Sequence, residues 1–302
     1  MAINQAVLFS KPLYHLDISL TYEELNFEIQ KFLQDHDIYI RSYKKIDGKN
    51  LESRKILNKH YGIYDYASSI DSIKDLIISN KAKTIFENKY KIEWEKAIEL
   101  KKIDTIKNFK RRFNLSSKNI AELWNDKNNN QVIKIQAGLV ISYIHNLDIF
   151  LMNGFFPLMI DLFYNQNFIM NYYVIEFDSD KLKWSEFRKN ILGITNCSKS
   201  SKDSFRGLMY NKYKINDPVT NNFVHGSAGP FEGMIERIIH EENFSFSTNP
   251  IGVYLLSRNM TQEQFNKWFQ KQSIEKKSFI FDETEEKNSN QIIDFLNETL
   301  FV

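Results

Sequence analysis

Residues 221–238 read NNFVHGSAGPFEGMIERI, and they place a strand, a turn of small residues and a helix within eighteen positions. Residues 222–227 form a short strand-like piece, and residues 230–241 show helical apolar spacing. His225 therefore ends a strand and stands just before a helix start. Such a position exposes an imidazole beside backbone N–H groups that favour anionic ligands. Glu236, eleven positions on and within the helix, is spaced to reach back and fix the ring.

Working outward, residues 5–11 (QAVLFSK) read as a buried strand, 19–34 as a helix, 38–46 as a strand and 51–61 as a helix. Residues 155–165 read as another helix, 168–177 (FIMNYYVIEF) as a buried strand and 180–192 as a helix. A polar loop, ITNCSKSSKDS, then leads into Phe205-Arg206-Gly207. Between these blocks, residues 81–113 are expected to be helical, residues 126–130 (DKNNN) mark a loop, and residues 135–150 are expected to form a buried helix. Near the C-terminus, T-Q-E-Q at Thr261 carries the side chains for a reciprocal helix cap. An acidic loop, FDETEEKNSN, precedes a last helix near Ile292. No fixed-period repeat is visible.

With 302 residues the chain can bury a substantial core, and 42% hydrophobic with 14% aromatic content excludes a disordered polymer. Forty basic against thirty-eight acidic side chains leave +2, so no global charge calls for nucleic acid or an anionic membrane. The exception is local: residues 81–113 hold eleven Lys/Arg and five Asp/Glu. Two readings of that stretch stay open, a solvated helix face or a surface for nucleic acid or an acidic protein. The single cysteine, Cys197, excludes an internal disulfide, a cysteine zinc cage or an iron-sulfur cluster held by this chain alone. A reducing, cytoplasmic setting is expected. The N-terminal residues lack the pattern of a secretory signal, and the most apolar window, residues 132–152, contains Lys134, His145 and Asp148. No membrane partner is expected.

The six histidines are His15, His36, His60, His145, His225 and His240. None sits in an H-E-x-x-H pair, and the chain has no P-loop, G-x-G-x-x-G fingerprint or G-x-S-x-G elbow. Short motifs of another kind recur in a fixed order. They are Phe9-Ser10-Lys11-Pro12 at a strand end, His60-Tyr61 at a helix end and Gly154-Phe155-Phe156-Pro157 at a helix start. Leu192-Gly193-Ile194-Thr195-Asn196, Ser204-Phe205-Arg206-Gly207 and Asn222-Phe223-Val224-His225-Gly226-Ser227 follow. In that order the six motifs resemble the nucleoside diphosphate kinase family, over residues 5–61 and 153–239.

The resemblance implies an α/β (α+β) fold, a ferredoxin-like antiparallel sheet covered by helices. A nucleoside diphosphate kinase-like domain would occupy residues 1–61 and 153–245, a mostly helical insertion 62–152 and a C-terminal extension 246–302. It also implies a ping-pong reaction between nucleoside tri- and diphosphates through a phosphohistidine, with Mg2+ on the nucleotide phosphates and no metal held by the protein alone. A homo-oligomer is a possible assembly. By resemblance His225 takes the phosphoryl group, Glu236 orients it with Ser227 in support, and Lys11 and Tyr61 border the transferred group. Arg206 and Thr195 would hold the inner phosphates, Asn222 and Lys11 the sugar hydroxyl, and Phe155 would stack on a base of any kind.

The chain departs from the family at several points. Lys189 stands where an arginine is usual, with Arg188 one residue earlier, and a lysine lacks the bidentate fork. The usual H-G-S-D-S is H-G-S-A-G, and an extra residue before Phe231-Glu232 would bring Arg237 to the place of the orienting glutamate. The loop between Arg206 and Asn222 is longer than usual, and Cys197 replaces a proline. These departures motivate a second reading, a nucleotide-binding module impaired in catalysis that acts through its insertion.

Overall fold

The computed structural model describes residues 3–14, 20–126, 132–272 and 274–301. His15, Ser19 and the loop residues 127–130 among the sequence expectations lie outside the described residues. Among those described, the strands in chain order are β1 (Ile3–Ser10), β2 (Tyr39–Asp47), β3 (Ile103–Asp104), β4 (Ile133–Gln136), β5 (Leu139–Ile144), β6 (Ile149–Met152), β7 (Ile169–Asp178) and β8 (Val224–Gly226). The chain divides into two compact units. One comprises Met1–Arg54, Phe163–Lys267 and Glu283–Val302, the other Lys55–Leu162 and Trp268–Asp282.

The first unit is built on an antiparallel sheet of order β2-β7-β1-β8. With a helix between β1 and β2 and another between β7 and β8, this is the split βαβ arrangement of a ferredoxin-like fold. β1 is central, and seven of its eight residues are buried, which explains why QAVLFS shows no polar alternation. Its two faces differ. Ala6 and Leu8, with Tyr173, Ile175, Phe177 and Val224, pack against the helices Tyr22–Asp35 and Phe205–Tyr213. Thr21 starts the first of these with a reciprocal cap to Glu24. Phe9 points the other way, where its ring meets His225, His240 and Phe163. The helix Pro230–His240 lies on that side, and its Gly233 runs so close to β1 that a Cβ there would stand 3.0 Å from the Gln5 carbonyl oxygen.

Several elements differ in detail from their expected form. The helix expected over residues 51–61 is two short helices, Gly48–Ser53 and Ile56–His60, parted at Lys55 by a left-handed φ of 49°. The helix expected over 180–192 is a turn at Trp184–Glu186 that runs into a π-helical segment, Phe187–Leu192. The Thr261 cap forms as expected, with the Thr261 amide donating to Gln264 Oε1 at 2.9 Å and the Gln264 amide to Thr261 Oγ1 at 3.2 Å.

The second unit holds the insertion. Its helices include Asn80–Tyr90, Trp94–Glu99, Ile106–Phe113 and Ser117–Asn125, so residues 81–113 are largely helical but broken into three pieces. The buried helix expected over residues 135–150 is not formed. That stretch supplies β4, β5 and the start of β6 of a four-stranded sheet ordered β3-β6-β5-β4, with Gly138 at φ 72° in the β4–β5 turn. Phe86, Trp94, Ile141, Phe150 and Met152 form its core.

Part of the basic surplus of residues 81–113 is paired locally. Lys107 and Arg111 both reach Asp71, at 2.6 and 3.0 Å, Arg112 reaches Asp104 at 2.6 Å, and Lys102 reaches Asp148 at 2.7 Å. No helix among the described residues is long and apolar enough to cross a membrane.

Candidate active site

β8 is short because it must do two things at once. Its register sets His225 opposite Phe9 of β1, and the imidazole stacks on the Phe9 ring at 4.5 Å with an interplanar angle of 19°. Just before it the backbone folds sharply: Phe223 has φ 66°, and the Val224 amide donates to the Asn222 carbonyl at 2.8 Å. This three-residue γ-turn is costly for an aromatic residue, and such strain is characteristic of sites that must aim a neighbour. Phe223 is fully buried, so packing holds the turn in place.

The helix Pro230–His240 brings Glu236 to the imidazole. His225 Nε2 and Glu236 Oε1 are 2.6 Å apart, and Ser227 Oγ donates to Glu236 Oε2 at 2.5 Å while accepting the Val7 amide at 2.8 Å. Glu236 and Ser227 are both buried. Of the two neighbours, Glu236 and not Arg237 reaches the imidazole. Arg237 turns to Glu241, Gln5 and Thr248 on another side of the helix. With Nε2–H donating to the carboxylate, the lone pair of the ring lies on Nδ1.

Cations surround this ring. Lys11 follows β1, its amide bonds to the Phe223 carbonyl at 2.8 Å, and its Nζ donates to Asn222 Oδ1 at 2.9 Å. Asn222 in turn donates from Nδ2 to the Thr195 carbonyl at 3.2 Å, linking Lys11 to the L-G-I-T-N segment. Arg206 is buried at the start of the helix Phe205–Tyr213 and donates to the Gly193 and Val224 carbonyls, both at 2.7 Å. Two glycines permit this packing. Gly193 has φ 91°, and a Cβ on Gly226 would stand 2.6 Å from Leu192 Cδ2.

The electrostatic consequence is direct. Burial, then Arg206, Lys11 and Arg188, hold the His225 pKa well below its ordinary value, so the imidazole is neutral at pH 7. Burial and the nearby Arg206 lower Lys11 to about 8, so its ammonium is charged at neutral pH but readily loses its proton above it.

Of the residues read from the sequence, Lys11, Arg206, Asn222, Thr195, His225, Ser227 and Glu236 come together in the first unit. Thr195 is exposed. Arg188, not Lys189, is the cation whose field reaches His225; Lys189 is solvent-exposed on the π-helical segment. Tyr61 and Phe155 belong to the second unit. There Tyr61 meets His60, Tyr64 and Phe156, and Phe155 packs on Tyr64 and Trp124, as members of one aromatic group.

Three further side chains were not read from the sequence. Glu232 lies one helical turn before Glu236, accepts the Ala228 amide, and is raised to about 8 by burial and by the Glu236 charge. Its i, i+4 spacing to Glu236 was a visible signal. Glu285 and Glu286 come from the C-terminal segment and pair with Arg188 at 2.5 and 3.6 Å. Only the acidity of that loop foreshadowed them.

No model of a known protein family matches the chain, and no curated protein matches it. Solved structures do: seven chains match, among them an orthorhombic crystal form of the nucleoside diphosphate kinase of Aquifex aeolicus. That enzyme is 10% identical, with a TM-score of 0.34, over 80% of this chain and 97% of its own.

Proposed function

We propose that this chain is a nucleoside diphosphate kinase-type phosphotransferase that moves the terminal phosphoryl group of a nucleoside triphosphate to a nucleoside diphosphate through His225. One observation carries the reading: a neutral imidazole is bonded through Nε2 to a buried glutamate, within the field of Lys11, Arg206 and Arg188. A ring so held is a nucleophile at neutral pH, and the three cations suit a polyphosphate.

In the first half-reaction the Nδ1 lone pair forms a bond to the terminal phosphorus. The bond from that phosphorus to its bridging oxygen breaks, and the electron pair leaves with the nucleoside diphosphate. No proton is displaced from Nδ1. The ring keeps its Nε2 proton and gains positive charge, which the Glu236 carboxylate stabilises across the 2.6 Å contact. In the second half-reaction a terminal oxygen of an incoming diphosphate attacks the same phosphorus, and the electron pair returns to Nδ1. Lys11 and Arg206 would offset charge that develops on the transferring group and its neighbours. Asn222, bonded to the Lys11 ammonium, holds that group in line and would share the sugar hydroxyl with it.

The donor set fits a nucleotide that carries Mg2+ on its own phosphates. Glu236 is committed to His225 and Ser227, and Glu232 accepts the Ala228 amide. The ion, when bound, offsets phosphate charge.

Incubation with ATP labelled in the terminal phosphate tests the proposal. The expected product is an acid-labile, base-stable phosphoenzyme that discharges on addition of any nucleoside diphosphate and is absent in His225→Ala. Equal labelling of that variant would overturn the mechanism. A second reading has one observation in its favour, the occupation of Arg188 by Glu285. It is a chain that binds nucleotide without transfer, and it predicts saturable nucleotide binding with no phosphoenzyme at all.

A further inference from the structure

The contact between Arg188 and the C-terminal segment is built into the fold. Glu286 donates its amide to the Ala228 carbonyl at 2.8 Å, inside the H-G-S-A-G turn itself. At Gly229 a Cβ would stand 2.6 Å from the Thr284 carbonyl oxygen, so the turn accepts the segment only because it lacks a side chain there. Beyond the contact, Asn288 Oδ1 accepts the Trp184 amide and the Asn4 side-chain amide, both at 2.9 Å, and the Ser289 amide donates to Asn4 Oδ1 at 2.9 Å. The segment is therefore pinned just after Glu285, at Glu286, Asn288 and Ser289. Its carboxylate lies 2.5 Å from Arg188 Nη1, with the Glu286 carboxylate at 3.6 Å. Arg188 is one of the cations that face His225, and its side chain keeps a quarter of its exposure. The geometry sets a carboxylate on the guanidinium that a phosphate would seek.

We infer that Glu285 is an autoinhibitory residue: it occupies Arg188 in place of a phosphate, and a ligand gains that guanidinium only by displacing it. The inference rests on the phosphotransfer reading above. A carboxylate is a weaker match to a guanidinium than a dianionic phosphate, so a phosphate can displace Glu285, at a cost in affinity that each ligand using Arg188 bears alike. A di- or triphosphate that reaches Arg188 bears that cost in full, whereas a ligand that leaves the guanidinium to Glu285 bears none of it.

The test is steady-state and binding analysis of the full chain carrying Glu285→Gln, alone and with Arg188→Gln, using Mg-ATP, ADP and AMP. The expected result for Glu285→Gln is a fall of about three- to tenfold in KM for ATP and ADP with kcat little changed, and a gain for AMP binding no larger than that. In the Arg188→Gln background the Glu285 substitution is expected to change nothing. A split of KM from kcat that vanishes without Arg188 is not produced by a merely structural contact. Thermal melts of each variant, with Glu286→Gln as a second carboxylate substitution, separate a folding defect from the effect.

If the wild type forms the phosphoenzyme but Glu285→Gln binds no tighter, or tightens equally without Arg188, the inference fails and the phosphotransfer reading stands. If only Glu285→Gln forms the phosphoenzyme, the plug is complete and the inference holds. If neither protein is labelled, the phosphotransfer reading fails. Nucleotide affinity that is then also unchanged between the two overturns the inference as well.

Discussion

His225 and Glu236 stand eleven residues apart, on a strand and on the following helix, and meet at 2.6 Å between Nε2 and Oε1. The contact fixes the tautomer and supplies a counter-charge when the ring becomes cationic. Glu236→Gln keeps the shape and removes the charge, so kcat is expected to fall on the order of 10²-fold with KM nearly unchanged. Glu236→Ala is expected to lose more, and about 1–3 kcal/mol of stability, because the buried imidazole loses its 2.6 Å carboxylate partner and the Ser227 hydroxyl is left with the Val7 carbonyl at 3.2 Å. Rapid-quench measurement of phosphoenzyme formation checks both; a kcat within twofold of wild type for Glu236→Gln would count against the role.

Lys11 gives the reaction an alkaline limit. Its folded value of about 8 lies below the unfolded 10.5, so the ammonium is lost as pH rises through about 8. kcat/KM is expected to fall about tenfold per unit above that point. The acid side is flat near pH 6.5, because His225 is already neutral there. Lys11→Arg is expected to move the alkaline limit out of range at reduced activity. The stability contribution of Lys11 has the opposite slope. Between about 8 and 10.5 the unfolded chain holds the extra proton, so this group makes unfolding harder as pH rises. A pH–rate profile of the wild type with no limb between 7 and 9.5 would remove Lys11 from the reacting centre.

The sheet of the first unit was legible because its strands carry short motifs at their ends and apolar runs in their middles. Residues 5–11, 38–46, 168–177 and 222–227 all fall on strands of the β2-β7-β1-β8 sheet. The insertion was less legible for a physical reason. In VIKIQAGLVISYIHNLDIF the buried strands β4 to β6 form one nearly continuous apolar run, and periodicity does not separate buried strands from a buried helix. The Ala137-Gly138 pair, with Gly138 at φ 72°, was the available turn signal.

At the site, the family resemblance carried by the order of the short motifs pointed to His225, Lys11 and Arg206, but one-dimensional alignment left Glu236 and Arg237 in competition. Helix rotation decides between them, since adjacent positions point about 100° apart. Glu285 was out of reach of any local reading, because it arrives from sixty residues downstream of His225.

Gly207 anchors the helix that carries Arg206. A Cβ there would stand 1.9 Å from the Ser201 carbonyl oxygen, which is backbone and has little room to yield. Gly207→Ala is expected to cost about 1–3 kcal/mol or more and to displace Arg206 from the Gly193 and Val224 carbonyls. Urea unfolding gives the loss of stability, and nucleotide affinity should fall with it. An alanine variant as stable as wild type would mean that the Ser201 loop moves freely.

Glu232 ties pH to stability with a sign that can be checked. Its folded value of about 8 lies above the ordinary 4.5, chiefly through burial and then the neighbouring Glu236 charge. Between pH 4.5 and 8 the folded chain therefore holds a proton that the unfolded chain has released. Stability from this group is fully present below 4.5 and declines as pH rises through that window. His225 works against it at the acid end: its folded value lies well below 6.5, so the unfolded chain takes up a proton first as pH falls below 6.5. Comparing Glu232→Gln with wild type cancels the His225 part, and the amide oxygen can still accept the Ala228 N–H. The variant is expected to gain stability relative to wild type steadily from pH 5 to pH 8, read from urea midpoints at each pH. A difference that stays constant across that range would mean that Glu232 is ionised in the folded protein and that its proton plays no part in holding the start of the Pro230–His240 helix beside Glu236.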